Sequence, residues 1–423
     1  MSQFILEGYD FRSDTGEASF RYRFNDGRSF VETVTFSVGE NYDQVVLDKA
    51  LFLAHLVVGT SYFKTFPTPE VVVESGLIDA QQADFLNHVY QEGLSQFAFE
   101  NNLTRQDLAW FKATSDMAAK ASAYEGKGVL ALQSGGKDSL LVAAMLRAKG
   151  TVFTPWYVSS SDHYPAVLND LGSDAPVITR RTLDVVALKN ALADGGKNGH
   201  VPVTYIVQSL ALIQAVLLGK NQVLVSIAHE GEEPHATIGD LSVTHQWSKT
   251  WHAEELFASY VHGYISADLA IGSPLRRFSE LRVAELFIQY AWESYGYRFS
   301  SCNRANYTQG ADNTELHWCG ECPKCANSYL LFAPFLEADV LKSLFGGQDL
   351  FEKDMLQETF KGLLGVDGVM KPFECVGEID ELRFAYTWAQ QKGGYGQVSF
   401  DVPASTFDYK AEYPAQEWAQ RAL

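Results

Sequence analysis

Positive charge is scarce in this chain of 423 residues: 33 lysines and arginines face 52 aspartates and glutamates, for a formal net charge of −19. A surface that grips nucleic acid needs broad basic patches, so the deficit argues against nucleic-acid partners. An anionic small molecule stays possible, because a few local lysines or arginines suffice to line a pocket. Cysteine is rare too, at five residues. So few thiols in a long chain point to metal or catalytic roles in a cytoplasmic protein rather than to a disulfide framework. The opening Met1-Ser2-Gln3-Phe4 lacks the basic start and long apolar core of a signal peptide. Long apolar runs are missing as well. Residues 50–58 are interrupted by His55, and 205–218 carry Gln208, Ser209 and Gln214, which suit a buried helix. No membrane partner is therefore expected, and there is no internal repeat or low-complexity tract. What the chain does have is 46% hydrophobic residues, ordinary for a globular protein with two or three domains.

Its first part reads as β-rich. Residues 4–9, 18–24 and 30–36 alternate like strands, with Asp14-Thr15-Gly16 and Asn25-Asp26-Gly27 as turns between them. Helical patterns follow at 42–58 and, with an acidic first turn, at 79–101, and a short strand is expected at 70–74. These make an α+β domain over 1–115, with a linker helix or boundary over 114–126. From 127 onward strands and helices alternate: strands at 128–132, 151–158, 177–179 and 222–227, helices at 140–146, 203–218 and 280–295. That order predicts an α/β domain over 125–335, a parallel sheet with helices on both faces, whose ligands bind beyond the carboxyl ends of the strands. Residues 336–423 are left as a small C-terminal region, helical at first and irregular from 393.

The most informative segment is Ser134-Gly135-Gly136-Lys137-Asp138-Ser139, between the strand at 128–132 and the helix that follows. Strand, glycine-rich turn and helix N-terminus form a phosphate-binding geometry: the glycines admit close approach of an anion, and successive N–H groups supply positive potential. Ser134 and Ser139 add hydroxyl donors and Lys137 a charge. Asp138 is out of place beside an anion unless it orients the loop or holds Mg²⁺. The spacing is not that of a Walker A loop.

A second segment, Cys319-Gly320-Glu321-Cys322-Pro323-Lys324-Cys325, puts three thiols in one turn, and Cys302 is the natural fourth ligand, with His317 as its alternative. Four thiolates suit a closed structural Zn²⁺ site. An iron–sulfur cluster is the competitor, although the C-x3-C-P that accompanies such clusters is missing.

The loop resembles the S-G-G-x-D-S pyrophosphate loop of the N-type ATP pyrophosphatases (PP-loop superfamily), which implies an adenine nucleotide alpha hydrolase-like fold and cleavage of ATP between its α- and β-phosphates. A longer resemblance is to the UDP-N-acetyl-α-D-muramoyl-L-alanyl-L-glutamate epimerase family (MurL). It is carried by His55-Leu56-Val57-Val58-Gly59-Thr60-Ser61-Tyr62-Phe63-Lys64, by the loop, and by Asn198-Gly199-His200-Val201-Pro202-Val203-Thr204. It continues in His245-Gln246-Trp247-Ser248-Lys249, Ser300-Ser301-Cys302-Asn303-Arg304 and Trp318 to Cys325. The chain departs from that family at Ala228-His229-Glu230-Gly231-Glu232-Glu233, where an arginine is expected.

The resemblance implies an isomerase of peptidoglycan precursor synthesis. It would use ATP and Mg²⁺ to adenylate the terminal L-Glu of UDP-N-acetylmuramoyl-L-Ala-L-Glu and invert its α-carbon, with AMP and pyrophosphate as by-products. Its partner is then a nucleotide-sugar dipeptide, and homo-oligomerisation is left open. Ser134, Gly135, Gly136, Lys137, Asp138 and Ser139 would hold ATP. His200, Lys249 and Arg304, with Lys324, are candidates for substrate carboxylates and diphosphate. Acid–base candidates are His245, Cys375, His229 and Glu230, with His200 also in reach; the resemblance favours His245. The alternatives are an adenylating ligase, a 7-cyano-7-deazaguanine synthase-like enzyme, an RNA-modifying enzyme and a nucleotide sensor.

Overall fold

Turn chemistry starts the fold. Gly16 and Gly27 hold φ of 69° and 97°, a region closed to most side chains, and each reverses the chain between strands. In the computed structural model, which describes residues 2–117, 120–161, 163–172, 174–308 and 314–422, these turns join β1 (Phe4–Arg12), β2 (Glu17–Phe24) and β3 (Ser29–Thr35) into an antiparallel meander. Strict burial alternation along β2 marks the period of two. β4 (Val71–Val73) adds in parallel to β1.

The later strands are β5 (Val129–Leu132), β6 (Phe153–Ser159), β7 (Val177–Thr182), β8 (Gln222–Leu224), a separate hairpin of β9 (Ala236–Ile238) with β10 (Leu241–Val243), and β11 (Ala270–Gly272). One nine-stranded sheet runs β11-β8-β5-β6-β7-β3-β2-β1-β4. Its β11-to-β7 half is parallel throughout. β3 pairs antiparallel with β7, Val34 opposite Arg181, so the sheet continues across the boundary expected near 115–125. Arg181 seals this seam: it donates 2.6 Å to the fully buried Glu32 and 3.0 Å to Ser61 Oγ.

Side-chain alternation sorts residues between two cores. Leu130 and Val223 face one, with helices Ala80–Gln91, Gln44–Val58, Val203–Leu217 and Trp251–Tyr260. Val129, Ala131 and Leu224 face the other, with helices Lys137–Ala148, Glu280–Tyr290, Pro323–Phe332, Gln357–Leu364 and Ile379–Lys392. This is a mixed α/β fold with a mostly parallel sheet and helices on both faces. Each large apolar side chain buried there stabilises by about 1.5–3 kcal/mol. The stretch Gln44–Phe63 is long and apolar enough to cross a membrane, but 78% of its most apolar window is buried inside the protein.

Some expectations shift. The helix read at 79–101 breaks into Ala80–Gln91 and Ser95–Glu100 around a tight turn, and its first turn holds no acid. Asp79 is instead the N-cap of a capping box with Gln82. No helix occupies the described residues of 114–126. The helix after the glycines starts at Lys137 rather than Leu140, and the one at 280–295 is interrupted at Ala291. The hairpin, β11 and helix Trp251–Tyr260 carry no sequence signal strong enough to have been read.

Candidate active site

β5 lies between β6 and β8, whose connections leave in opposite directions. The crevice beyond the carboxyl ends of β5 and β8 is thus a topological switch point, where open α/β sheets bind ligands. A cavity of about 310 Å³ opens there. Gln133, Ser134, Gly136, Asp138 and Ser139 form one wall, and Lys249, Lys324, Cys375, Ser301 and Asn303 another.

The loop is braced by itself. Ser139 Oγ accepts from Ser134 N at 3.2 Å and donates to Gly136 O at 3.2 Å, while Gly136 N donates to Ser134 Oγ at 3.4 Å. Gly135 sits at φ 78°, and a Cβ there would lie 2.4 Å from Leu316 Cδ1, so glycine is required. Gly136 is the N-cap of helix Lys137–Ala148, whose first N–H groups and dipole favour an anion. Lys137 turns away from the cavity. It is buried and donates to Asp138 at 2.7 Å and to Glu280, so its charge neutralises carboxylates instead of reaching the cavity. Burial pulls its pKa down, but those two acids outweigh burial and hold it above the ordinary lysine range. Burial pushes Glu280 up to about 7, against Lys137.

Cations arrive from distant segments. Lys249 Nζ lies 3.2 Å from the buried Glu230 Oε2. Burial opposes its charge, and Cys375 and Glu230 outweigh it, so the ammonium persists. Behind it, the fully buried Arg276 donates to Glu254 Oε2 and to the carbonyls of Ala228 and Lys249, each at 2.8 Å. One guanidinium thereby fixes both chain segments that carry Glu230 and Lys249. Lys324 Nζ donates 2.6 Å to Cys375 O, which ties the cysteine turn to the cavity rim.

Among the acid–base candidates, only Cys375 lines the cavity. His245 is outside the lining: its Nδ1 is 2.6 Å from Gln96 Oε1, and its ring lies 4.5 Å from that of His200. Burial lowers His245 to about 4, and burial together with His245 and Lys64 lowers His200 to about 3, so both imidazoles are neutral at pH 7. His229 stacks at 3.6 Å on Tyr413, and burial with Arg276 lowers it to about 4. Glu230 is held by Lys249. Arg304 lies outside the cavity, 43% exposed and paired with Glu321 at 3.2 Å. Gln133, Ser226, Ser301 and Asn303 are cavity residues to which the sequence assigned no role; Gln133 lies beside the loop, Ser226 at a strand end, and Ser301 and Asn303 in a stretch that carries the family resemblance.

Cys302, Cys319, Cys322 and Cys325 bring their sulfurs within 4.8 Å of one another, and His317 is not part of the group. Separations of 3.6–3.7 Å between neighbours are far beyond a disulfide. They match the edge of about 3.8 Å expected when four thiolates surround one cation at about 2.3 Å. Backbone N–H groups of Ala305, Gly320 and Glu321 point at Cys302, Cys325 and Cys319 sulfurs, 3.3–3.4 Å away, as thiolate ligands require. The four cysteines can hold a metal ion.

Glycine-rich loop, helix N-terminus and two lysines share one cavity at the switch point of an α/β protein, an arrangement whose electrostatics favour an anion. The MurL N-terminal domain family matches residues 1–273 and the MurL C-terminal domain family residues 298–404. The chain belongs to the MurL family. A protein of Xanthomonas oryzae pv. oryzae (strain MAFF 311018) is 35% identical over 380 residues, spanning 88% of this chain and 82% of that protein. One from Micromonospora sp. (strain ATCC 39149 / NRRL 15099 / SCC 1413) is 32% identical over 390 residues, 90% and 85% of the two chains. One from Salinispora tropica (strain ATCC BAA-916 / DSM 44818 / JCM 13857 / NBRC 105044 / CNB-440) is 32% identical over 405 residues, 93% and 86%. All three are named UDP-N-acetyl-alpha-D-muramoyl-L-alanyl-L-glutamate epimerase.

Proposed function

We propose that this protein is an ATP-dependent epimerase that converts the terminal L-glutamate of UDP-N-acetyl-α-D-muramoyl-L-alanyl-L-glutamate to D-glutamate. The names of its relatives support the substrate. The observation that carries the mechanism is the convergence of the Ser134–Ser139 loop, Lys249, Lys324 and Cys375 on one cavity.

An α-proton beside a free carboxylate is very weakly acidic, because its removal sets a second negative charge next to the first. ATP removes that obstacle. In this reading the PP-loop made by Ser134, Gly135, Gly136 and Ser139 would hold the phosphates, and Asp138 would hold a Mg²⁺ whose charge offsets theirs. The substrate carboxylate displaces pyrophosphate and becomes an acyl-adenylate. Deprotonation then gives an enolate rather than a dianion, reprotonation on the other face gives the D-centre, and water releases AMP. Cys375, beside the Lys249 ammonium, is the acid–base group we assign to one face. His245 and His200, neutral and with rings tilted 44° to one another, do not line the cavity and take no proton in this reading. The cysteine cluster is read as structural Zn²⁺: each sulfur in an iron–sulfur cube would sit on a separate iron, and the four would spread wider than they do here.

Incubation in D₂O with ATP, Mg²⁺ and the L-Glu substrate tests the reading. ATP-dependent uptake of one deuterium at the glutamate α-carbon is expected. Pyrophosphate release without exchange would make the protein an adenylating ligase. Cys375→Ala should abolish inversion yet retain substrate-dependent ATP–pyrophosphate exchange; full inversion in that variant removes Cys375 from the mechanism.

A further inference from the structure

Two polar side chains in the cavity have no hydrogen-bond partner among the described residues. Gln133 is 5% exposed, and neither its Oε1 nor its Nε2 makes a hydrogen bond. Ser226 Oγ is buried and equally alone. Both line the cavity. Their placement follows from the sheet. The β5–β8 register pairs Val129 with Gln222 and Ala131 with Leu224. Carried two residues further, it sets Gln133 beside Ser226, on the same face, just before the glycine-rich loop begins.

A buried amide with both groups unpaired destabilises the folded state. Gln133's backbone is satisfied, its N–H donating 2.8 Å to Trp156 O, so the strand end does not depend on the amide. Such a group in a cavity wall is completed by what enters the cavity, water at rest and a ligand when one binds. The surroundings narrow that ligand. Phosphates belong at Gly136 and the helix N-terminus, next along the chain. Lys249 and Cys375 line the same cavity as Ser226, and Lys249 is held by Glu230, in the segment that follows β8. In the epimerase reading the acyl group joins the phosphate to the reacting carbon, and so would run from the loop toward Lys249 and Cys375.

We propose that Gln133 Nε2 and Ser226 Oγ donate hydrogen bonds to the carbonyl oxygen of the activated acyl group. The proposal rests on the epimerase reading and names its oxyanion donors. In the step they serve, the Cα–H bond breaks and its proton goes to the base. Its electron pair forms the Cα=C bond, and the carbonyl π pair moves onto the oxygen between Gln133 and Ser226. Reprotonation at Cα returns that pair and restores the carbonyl. Because the oxygen is most negative in the enolate, these donors favour deprotonation more than adenylation.

The test uses the full-length protein with Gln133→Met, which keeps shape and removes the amide, and Ser226→Ala. Each is assayed for substrate-dependent ATP–pyrophosphate exchange, α-deuterium uptake and thermal midpoint. Deuterium uptake should fall about 100-fold per donor, while pyrophosphate exchange stays within about threefold. The Gln133→Met midpoint should equal or exceed that of the parent, since an unpaired buried amide is removed. Equal loss of both activities, retention of both, or a lowered midpoint in Gln133→Met would overturn the proposal. The unsubstituted protein separates the two claims: if it takes up no deuterium, the epimerase reading fails; if it does and the variants do too, only the oxyanion assignment fails.

Discussion

Lys137, in the middle of the glycine-rich loop, donates to Glu280 at the start of a helix far along the chain. A lysine in that position reads as a phosphate ligand, yet here it joins the loop to helix Glu280–Tyr290 through a buried ion pair. Asp138, the other partner of that ammonium, remains in the cavity wall.

Lys137→Met should therefore act on stability. It strands two carboxylates in a site where Glu280 is 6% exposed, at a cost of about 3–5 kcal/mol. Adding Glu280→Gln should recover part of that loss, with a coupling of about 1–3 kcal/mol in a double-mutant cycle followed by urea denaturation. Additive effects would separate the two residues.

Glu381 gives a pH signature. It is 1% exposed and accepts from Leu281 N; burial pushes its carboxyl up to about 8, with that N–H opposing and Glu280 adding to the rise. The folded state then binds a proton that the unfolded chain releases near 4.5. Stability from this group is complete below pH 4.5 and lost as pH rises toward 8. Glu381→Gln keeps an acceptor without the charge. Its denaturation midpoint should match the parent at pH 5 and exceed it at about pH 8.5.

The cysteine cluster predicts about one metal ion per chain by elemental analysis. Cys302→Ser or Cys322→Ser should lose it, and the thermal midpoint should fall by roughly 10 °C or more, because ligation energy is folding energy in such sites. Retention of metal by both variants would refute a four-thiolate site.

Lys249 predicts a chemical defect. Lys249→Met should lower substrate-dependent ATP–pyrophosphate exchange about 100-fold, and Lys249→Arg should restore part of it. Glu230→Gln alone should cost far less, since that carboxylate holds the ammonium in place and does not line the cavity. Equal losses in Lys249→Met and Glu230→Gln would assign the pair a packing role only.

Much of this molecule was legible from the chain. Strand alternation in 18–24, the glycines at 16 and 27, the loop at 134–139 and the cysteine spacing are local signals, set by backbone geometry and side-chain period over a few residues. The β3–β7 pairing was not legible, because both strands carry ordinary alternation and only the packed sheet, with Arg181 against Glu32, decides that they meet. His245 stood out among the acid–base candidates by resemblance; in the folded protein it contacts Gln96 and His200, does not line the cavity, and burial lowers it to about 4.

Thus the sequence alone determined the glycine-rich turn, the cysteine turn and the alternation of strand and helix, since each depends on neighbours along the chain. Only the tertiary structure decided that Lys137 serves Glu280, that Cys375 and Lys249 share the loop's cavity, and that Gln133 stands unpaired beside Ser226. Those relationships join segments far apart along the chain, and burial and charge pairing between distant elements select them.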